Sequence, residues 1–289
     1  MRWTPGGVST NIEDRRGSGG GFGFGRGPTI GCGGAIILIV LSLLTGRNFF
    51  SGFGGGDGGG GAVQQAPADP SATATVQQTP EEAKEVEFVS FVLDDTQKTW
   101  ARIFQENGSQ YQDARLVLFR DMTDTGCGYG QAASGPFYCP NDGKVYIDLA
   151  FFDELDRRFG APGDFAQAYV IAHELGHHVQ NLTGVSDKVH QAMERDRGNA
   201  NEYSTRLELQ ADCYAGIWGH STAQRNILDP GEESEGLAAA SSVGDDRLQK
   251  MSGRAVNPDS FTHGSSQQRM EWFRRGFQSG RIEDCDTFR

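Results

Sequence analysis

Near the middle of the chain stands the stretch Ile171-Ala172-His173-Glu174-Leu175-Gly176-His177-His178. Positions i and i+4 of an α-helix lie one above the other on one face, so His173 and His177 can offer ring nitrogens to a single metal ion. Glu174 lies about 100° further around the helix, which places its carboxylate beside such an ion rather than on it. A carboxylate there can accept a proton from a zinc-activated water molecule. The alternative interpretation is a solvated polar helix face with two structural histidines.

A catalytic zinc site needs a third protein ligand and one open coordination position. The later histidines are candidates for that ligand, namely His190, His220 and His263. None of them follows His177 in a His-x-x-Gly-x-x-His spacing. The neighbouring His178 points about 100° away from His177 on a helix, so we interpret it as structural.

A better third ligand lies further along, in Leu207-Glu208-Leu209-Gln210-Ala211-Asp212-Cys213, on another predicted helix. Glu208 and Asp212 stand at positions i and i+4 and therefore share a helix face. We predict Glu208 as the third zinc ligand. Asp212 is predicted to accept the outer N–H of a ligating histidine and so to fix its tautomer. The alternative for Glu208 is an exposed helix acid or an ion pair with Arg206.

The chain has 289 residues, a formal net charge of -12 and a sequence pI of about 4.9. An acidic chain repels phosphate backbones, so we predict no nucleic-acid partner. Residues 47–80 are rich in Gly, Ala, Gln, Thr and Pro. They cannot bury enough apolar surface to offset the ordering entropy, which predicts a flexible linker. The folded domain is expected to cover residues 81–289.

An apolar run without charged residues occupies 30–44, with Arg26 and Arg47 on its two sides. The uncharged window around it is long enough to span a bilayer. The positive-inside rule then predicts a short cytoplasmic segment over 1–28, one transmembrane signal anchor over 29–46, and the domain on the extracytoplasmic side of the cell membrane. A cleavable signal peptide, a lipoprotein signal and a buried core helix are the alternatives.

Four cysteines fall in the part of the chain expected to be exported: Cys127, Cys139, Cys213 and Cys285. An even number in an oxidising compartment predicts two disulfide bonds. Cys127 and Cys139 are close in sequence and flank a turn-rich loop, so we favour this pair, which leaves Cys213 with Cys285. Four free buried thiols are the alternative.

The remaining patterns predict an α+β fold, mainly helical, with a small sheet. Apolar spacing indicates helices over 93–106, 149–159, 201–219 and 265–277, and the zinc helix is expected to start after an N-cap at Asp164. Residues 116–119 predict a strand. Two short apolar runs, 137–139 and 145–147, flank an Asp142-Gly143 turn and predict a hairpin. We expect its second strand to offer an edge to an extended peptide.

Several of these motifs occur in one order that resembles the bacterial neutral zinc metallopeptidase family. They are Cys127 to Gly130, Gly135 to Pro140, Val145 to Asp148, His173 to Gln180, Glu208 to Gly216, and Phe261 to Phe273. The resemblance covers roughly residues 85–289 and the N-terminal anchor. It implies a membrane-anchored, zincin-like domain of the gluzincin class, with His173, His177 and Glu208 as zinc ligands and Glu174 at the reacting water.

Two hypotheses follow for the function. The first is a zinc-dependent endopeptidase that hydrolyses peptide or protein substrates, with Glu174 as general base. His263 or Tyr146 is then a candidate donor to the oxyanion of the tetrahedral intermediate. The second is a non-proteolytic module that uses the zinc for folding or for partner binding, which requires a closed site with four protein ligands.

Overall fold

A computed structural model describes residues 1–17 and 78–289 of the chain. The α-helices of these ranges are α1 (Pro80–Glu106), α2 (Ala150–Arg157), α3 (Asp164–Leu182), α4 (Val185–Arg195), α5 (Ala200–Gln224), α6 (Glu232–Ser242), α7 (Asp245–Met251) and α8 (Ser266–Ser279). The strands are β1 (Ile12–Asp14), β2 (Arg115–Phe119), β3 (Met122–Thr125), β4 (Gly128–Gln131), β5 (Phe137–Cys139) and β6 (Lys144–Asp148). The described residues are therefore mainly helical with small sheets, as the patterns predicted.

Helix α1 is longer than the predicted 93–106 because its start has strong local signals. Thr79 accepts a hydrogen bond from the backbone N–H of Glu82, whose side chain accepts one from the Thr79 N–H in return. This capping box satisfies two donors that a helix start otherwise leaves free, and Pro80 fits the first helical position. Helix α3 starts one residue earlier than expected, since Asp164 lies inside it and Gly163 is its N-cap.

The larger sheet has the order β1-β2-β6-β5, and β5 alone runs antiparallel to its neighbour. The predicted hairpin is confirmed, because Phe137 pairs with Tyr146 and Cys139 with Lys144. Strand β6, however, lies between β2 and β5 and has no free edge. The expectation that this strand offers an edge is therefore wrong, and β5 is the edge strand on that side of the sheet.

Successive side chains of β2 point to opposite faces of the sheet, which separates two apolar clusters. Leu116 and Leu118 pack into the main core with α1 and α3, while Val117 and Phe119 pack on the other face around Tyr146. The main core thus lies between one face of the sheet and the helices. Helix α3 runs through this layer and is packed against α1, α5 and α6.

The four cysteines form the two predicted pairs. Cys127 joins Cys139 across a Cα–Cα distance of 5.8 Å, and Cys213 joins Cys285 across 5.6 Å. Both distances fall in the range that a disulfide can bridge without moving the backbone. The first bond ties the turn of the β3–β4 hairpin to β5, and the second ties α5 to the C-terminal segment.

The N-terminal residues belong to the folded domain. β1 pairs in parallel with β2, Trp3 packs against the main core, and Arg16 donates a hydrogen bond to Gln78 across 2.8 Å. This differs from the expectation that residues 1–28 form a segment apart from the domain. Strands of one sheet lie on one side of a membrane, so this pairing predicts residues 1–17 on the same side as the domain, whereas the anchor hypothesis predicts opposite sides.

The expected transmembrane segment, 29–46, and most of the linker expected over 47–80 lie outside the described residues. Within residues 1–17 and 78–289, no helix combines the length and the apolar character needed to cross a membrane.

From the pairing of β1 with β2 we predict that residues 1–17 and the domain lie in one compartment. Val8 is 60% exposed and Val256 is 39% exposed, so each tolerates a cysteine as a label site. In a Cys32→Ser background, we expect Val8→Cys and Val256→Cys to react alike with a membrane-impermeant maleimide, in intact cells and again after lysis. Labelling of only one of the two in intact cells would contradict the pairing of β1 with β2.

Candidate metal centre

Two helices carry the predicted ligands and approach each other closely at a glycine. Gly176 of α3 lies against Ala211 of α5, where a Cβ atom would stand 3.0 Å from the Ala211 carbonyl oxygen. Real Cβ atoms rarely come that close, so the absence of a side chain at Gly176 permits the contact. The contact lies one residue before His177 on α3 and one residue before Asp212 on α5, and it brings the motif of α3 up to the acids of α5.

The side chains of His173, His177 and Glu208 converge, with one ligand atom from each lying within 4.8 Å of the others. The His173 Nε2 atom is 3.2 Å from Glu208 Oε2, and the His177 Nε2 atom is 3.6 Å from Glu208 Oε1. Two ligands of a tetrahedral zinc ion stand about 3.3 Å apart, given metal–ligand bonds of about 2.0–2.1 Å. Two imidazoles and a carboxylate are also a ligand set that zinc commonly takes in enzymes. The donors thus fit zinc in type and spacing.

Each of the two candidate ligand histidines is held through its other ring nitrogen. His173 Nδ1 lies 2.9 Å from Asp212 Oδ1, and His177 Nδ1 lies 2.9 Å from Gln180 Oε1. Because carboxylate and amide oxygens only accept hydrogen bonds, Nδ1 carries the proton in both rings when they are neutral, and Nε2 keeps its lone pair for a metal. The contact between Asp212 and His173 Nδ1 is the one predicted for Asp212 from the sequence.

Gln180 was missed by the sequence reasoning. Its amide nitrogen donates to the Leu207 carbonyl across 2.7 Å and to Gln210 Oε1 across 3.1 Å, which anchors the side chain on α5. A fully buried glutamine one turn after His177 must have partners, because an unpaired buried amide is costly. Its position one turn after His177 on the zinc helix was the only feature of the sequence that could have indicated this role.

The charges of the site favour an ionised Glu208. Burial opposes its ionisation, but His177, His263 and His173 together hold the pKa of Glu208 well below the ordinary value. Burial likewise opposes the ionisation of Asp212, whose pKa the neighbouring Arg269 and His173 lower. The partly buried Glu208 and the fully buried Asp212 therefore face the cationic and imidazole groups that compensate their charges.

Glu174 lies on the zinc helix with a largely buried side chain, 8% exposed. Burial raises the pKa of its carboxyl group, and the charge of Glu208 adds to this, while His173 and His177 act in the opposite direction. A carboxylate with a raised pKa is a better proton acceptor close to neutral pH. Its carboxyl group is close enough to His173, His177 and Glu208 to interact with them.

His263 lies in the loop before α8, close enough to Glu208 for the two side chains to influence each other's pKa. Its Nδ1 atom is 3.3 Å from Asp245 Oδ1 and 3.0 Å from Thr262 Oγ1. The second carboxylate oxygen of Asp245 accepts three backbone N–H bonds, from Thr262, His263 and Gly264. Asp245 thus fixes both the loop and the ring, and nothing in the sequence patterns pointed to it.

Tyr146, the alternative candidate to His263, lies elsewhere. Its hydroxyl donates to Asp142 Oδ2 across 2.7 Å and its ring stacks on Phe137, on the sheet face away from the main core. It takes no part in the metal-ligand group, so this candidate is not supported.

The other histidines make contacts of their own. The Nδ1 atoms of His190 and His220 lie within hydrogen-bond distance of the carbonyls of Ser186 and Phe277. His178 bridges the Gln112 carbonyl, at 2.7 Å from Nε2, and the Tyr138 hydroxyl, at 3.0 Å from Nδ1. This matches its predicted structural role.

Two histidines from one helix turn, a glutamate from a second helix and a further carboxylate beside them define the class of zinc proteins with a His-Glu-x-x-His helix and a downstream Glu ligand. A family model described as "Putative neutral zinc metallopeptidase" matches residues 1–288. The chain belongs to this family.

Two similar proteins carry names that state no activity. The chain is 48% identical over 293 aligned positions to "Uncharacterized protein YpfJ" of Escherichia coli K12, with 100% of this chain and 99% of the other covered. It is 43% identical over 189 positions to "Uncharacterized protein Mb2605" of Mycobacterium bovis, which covers 62% of this chain and 63% of the other. No solved structure matches the chain.

The ligand geometry predicts that Glu208→Gln strongly weakens zinc binding. An amide oxygen carries no charge to offset the ion, and outer-sphere changes already cost about 10- to 100-fold in affinity, so we expect at least about 100-fold here. The zinc dissociation constant is measured by competition with a chromophoric chelator. Glu202→Gln, an exposed acid on the same helix that pairs with Arg206, is the control. Equal affinities of the two variants would rule out Glu208 as a ligand.

Proposed function

We propose that the protein is a zinc-dependent endopeptidase that hydrolyses peptide bonds in peptide or protein substrates. The observation that carries this proposal is the ligand group itself. It contains three members among the described residues, which leaves a coordination position for a reacting molecule, and Glu174 lies on the same helix as the two histidines, close enough to interact with them. A structural zinc site closes all four positions with protein ligands.

His173, His177 and Glu208 would hold the ion. Zinc bound there supplies a water molecule acidic enough to lose a proton near neutral pH, and it polarises the scissile carbonyl. Glu174 accepts the proton of the attacking water and later donates it to the nitrogen of the leaving amine. Burial of Glu174 favours this two-way role, because a carboxyl group with a raised pKa exchanges protons more readily near neutrality.

His263 is proposed as the donor to the oxyanion that forms on the substrate carbonyl. Its Nδ1 atom faces Asp245 and Thr262, which leaves Nε2 as the ring atom for the substrate. Because Asp245 accepts at Nδ1, the Nε2 atom can donate only when the ring is protonated, and the neighbouring Asp245 carboxylate favours that charged form. A donor held in place before reaction stabilises the transition state without reorganisation.

An extended substrate backbone is proposed to add to strand β5. This strand forms an edge of the sheet and is fixed to α3, because the Tyr138 hydroxyl contacts His178 and accepts a hydrogen bond from Asn181 across 2.9 Å. Backbone pairing at an edge gives affinity with modest dependence on the substrate side chains.

We also infer that the domain works outside the cytoplasm and is attached to the cell membrane. The two disulfide bonds support the first point, since such bonds persist in oxidising compartments. The uncharged apolar run over 30–44 supports the second, and because β1 pairs with β2 we propose that it attaches the chain without placing residues 1–17 on the opposite side from the domain.

The mechanism predicts that Glu174→Gln retains zinc and loses cleavage. The amide cannot accept the proton, so we expect the rate to fall by about 10²- to 10⁴-fold, the usual contribution of a general base. Cleavage of a peptide library and zinc content are measured on the same preparation of the full chain. Glu194→Gln, a change of an exposed acid on α4, is the matched control.

Two outcomes would overturn the mechanism. Full activity of Glu174→Gln excludes this residue as the base. Bound zinc in the wild-type chain without cleavage of any library member favours the rival hypothesis, a non-proteolytic zinc-binding module.

The proposed role of His263 predicts a loss in kcat rather than in zinc binding. His263→Phe removes the ring donor, and we expect kcat to fall by about 10²- to 10³-fold, as for the loss of one oxyanion donor. KM and the zinc dissociation constant should change little. His220→Phe, on the far part of α5, is the control. A rise in KM with unchanged kcat would instead indicate a substrate-binding residue.

A further inference from the structure

Arg269 of α8 lies buried behind the metal centre, and its side chain is only 5% exposed. Its guanidinium donates to Asp212 in a bidentate manner, with Nε 2.8 Å from Oδ2 and Nη2 2.9 Å from Oδ1. Nη1 donates to the Val243 carbonyl across 3.3 Å. The planar fork of an arginine matches the two oxygens of a carboxylate and fixes the plane of both groups.

Asp212 is the link between this arginine and the metal centre. The side chain is fully buried, and a buried carboxylate persists only when it is paired and hydrogen-bonded. Its Oδ1 atom faces His173 Nδ1 across 2.9 Å and accepts a hydrogen bond from the Tyr169 hydroxyl. With both oxygens held by Arg269, the carboxylate cannot rotate away from the histidine.

Arg269 also contacts the ring of His173 directly. Its Nη2 atom lies 3.4 Å from Nδ1 and 3.5 Å from Nε2 of that ring. The guanidinium thus lies against the side of the imidazole while the Asp212 carboxylate holds its Nδ1 atom. Tyr169 accepts from Nη2 across 3.2 Å and closes the network on α3.

The position of Arg269 is set by an unusually close contact between α5 and α8. A Cβ atom at Gly276 would stand 1.9 Å from the Cys213 carbonyl oxygen, and one at Gly216 would stand 2.1 Å from the Phe273 carbonyl oxygen. Two glycines, one on each helix, therefore let the backbones meet. At this separation the arginine side chain reaches Asp212 with its fork rather than with a single nitrogen.

We propose that Arg269 is a positioning residue for zinc, which fixes Asp212 and through it directs the Nε2 atom of His173 toward the metal. This inference rests on the proposed zinc site but not on any substrate. Loss of the fork lets the Asp212 carboxylate and the imidazole turn, so the ligand set is no longer arranged in advance. Outer-sphere partners of this kind usually contribute about 10- to 100-fold to metal affinity.

The test compares two arginines of the same full chain. Arg269→Lys keeps the charge and loses the fork, and we expect the zinc dissociation constant to rise about 10- to 100-fold. Arg225→Lys is the matched control, because Arg225 forms an equally bidentate pair with the buried Asp95, at 2.6 and 2.7 Å. The control should bind zinc like the wild type. Unchanged affinity in Arg269→Lys would overturn the proposal.

A double-mutant cycle tests whether Arg269 acts through Asp212. Asp212→Asn and Arg269→Lys are measured singly and together by chelator competition. If the arginine works through the carboxylate, the double variant loses no more affinity than the worse single variant. If the two losses of affinity multiply in the double variant, Arg269 and Asp212 act independently, and the proposal that Arg269 acts through Asp212 is wrong.

A milder variant keeps the proposal testable if Arg269→Lys does not fold, as judged by circular dichroism. Tyr169→Phe removes one donor from Asp212 and keeps the ring, and we expect an affinity loss of about 2- to 10-fold. Wild-type affinity in this variant would count against the network. Zinc binding is measured without substrate. If the variants show the expected zinc affinities but the wild-type chain cleaves no peptide, the proposed endopeptidase activity is wrong and the proposed role of Arg269 stands.

Discussion

The close approach of α3 and α5 at Gly176 and Ala211 is the contact on which the metal centre depends. Each helix supplies an incomplete ligand set: two imidazoles from one and a carboxylate from the other. At a larger distance between the axes, Glu208 could not face both Nε2 atoms at the observed 3.2 and 3.6 Å. Protein interiors are closely packed, so a side chain at Gly176 would displace the ligand side chains themselves.

A second constraint follows from the charges that this approach buries. Asp212 is fully buried and Glu208, on the same helical face, is 17% exposed, and an isolated carboxylate is strongly disfavoured where water is largely excluded. Arg269 and the two imidazoles compensate them, and through Arg269 the helix α8 is also linked to the metal centre. A network in which every member has a partner also restricts each side chain to one orientation. The same contacts that compensate the buried charge thus set the direction of the ligands.

Much of the metal centre could be predicted from local rules. His173, Glu174 and His177 lie within one and a half turns of a helix, whose geometry fixes their relative directions whatever the rest of the chain does. Glu208 and Asp212 followed from the same rule. The disulfide pairing followed from the count of cysteines and the nearness of Cys127 to Cys139, and the hairpin of β5 and β6 followed from its Asp-Gly turn.

The sequence by itself therefore determined the zinc helix, the second acidic pair, the mainly helical fold class and the Cys127–Cys139 pair, because each depends on short separations. The pair Cys213–Cys285, separated by 72 residues, followed only as the remaining pair. Only the tertiary structure decided the roles of Gln180, Asp245 and Arg269, the central place of β6, and the pairing of β1 with a strand some hundred residues later. Arg269 and Asp212 are 57 residues apart, and the fork between them exists only because two glycines let α5 and α8 touch. The spacing of apolar residues along one helix does not predict its distance from another helix, since that distance is set by how all the side chains of a core pack together.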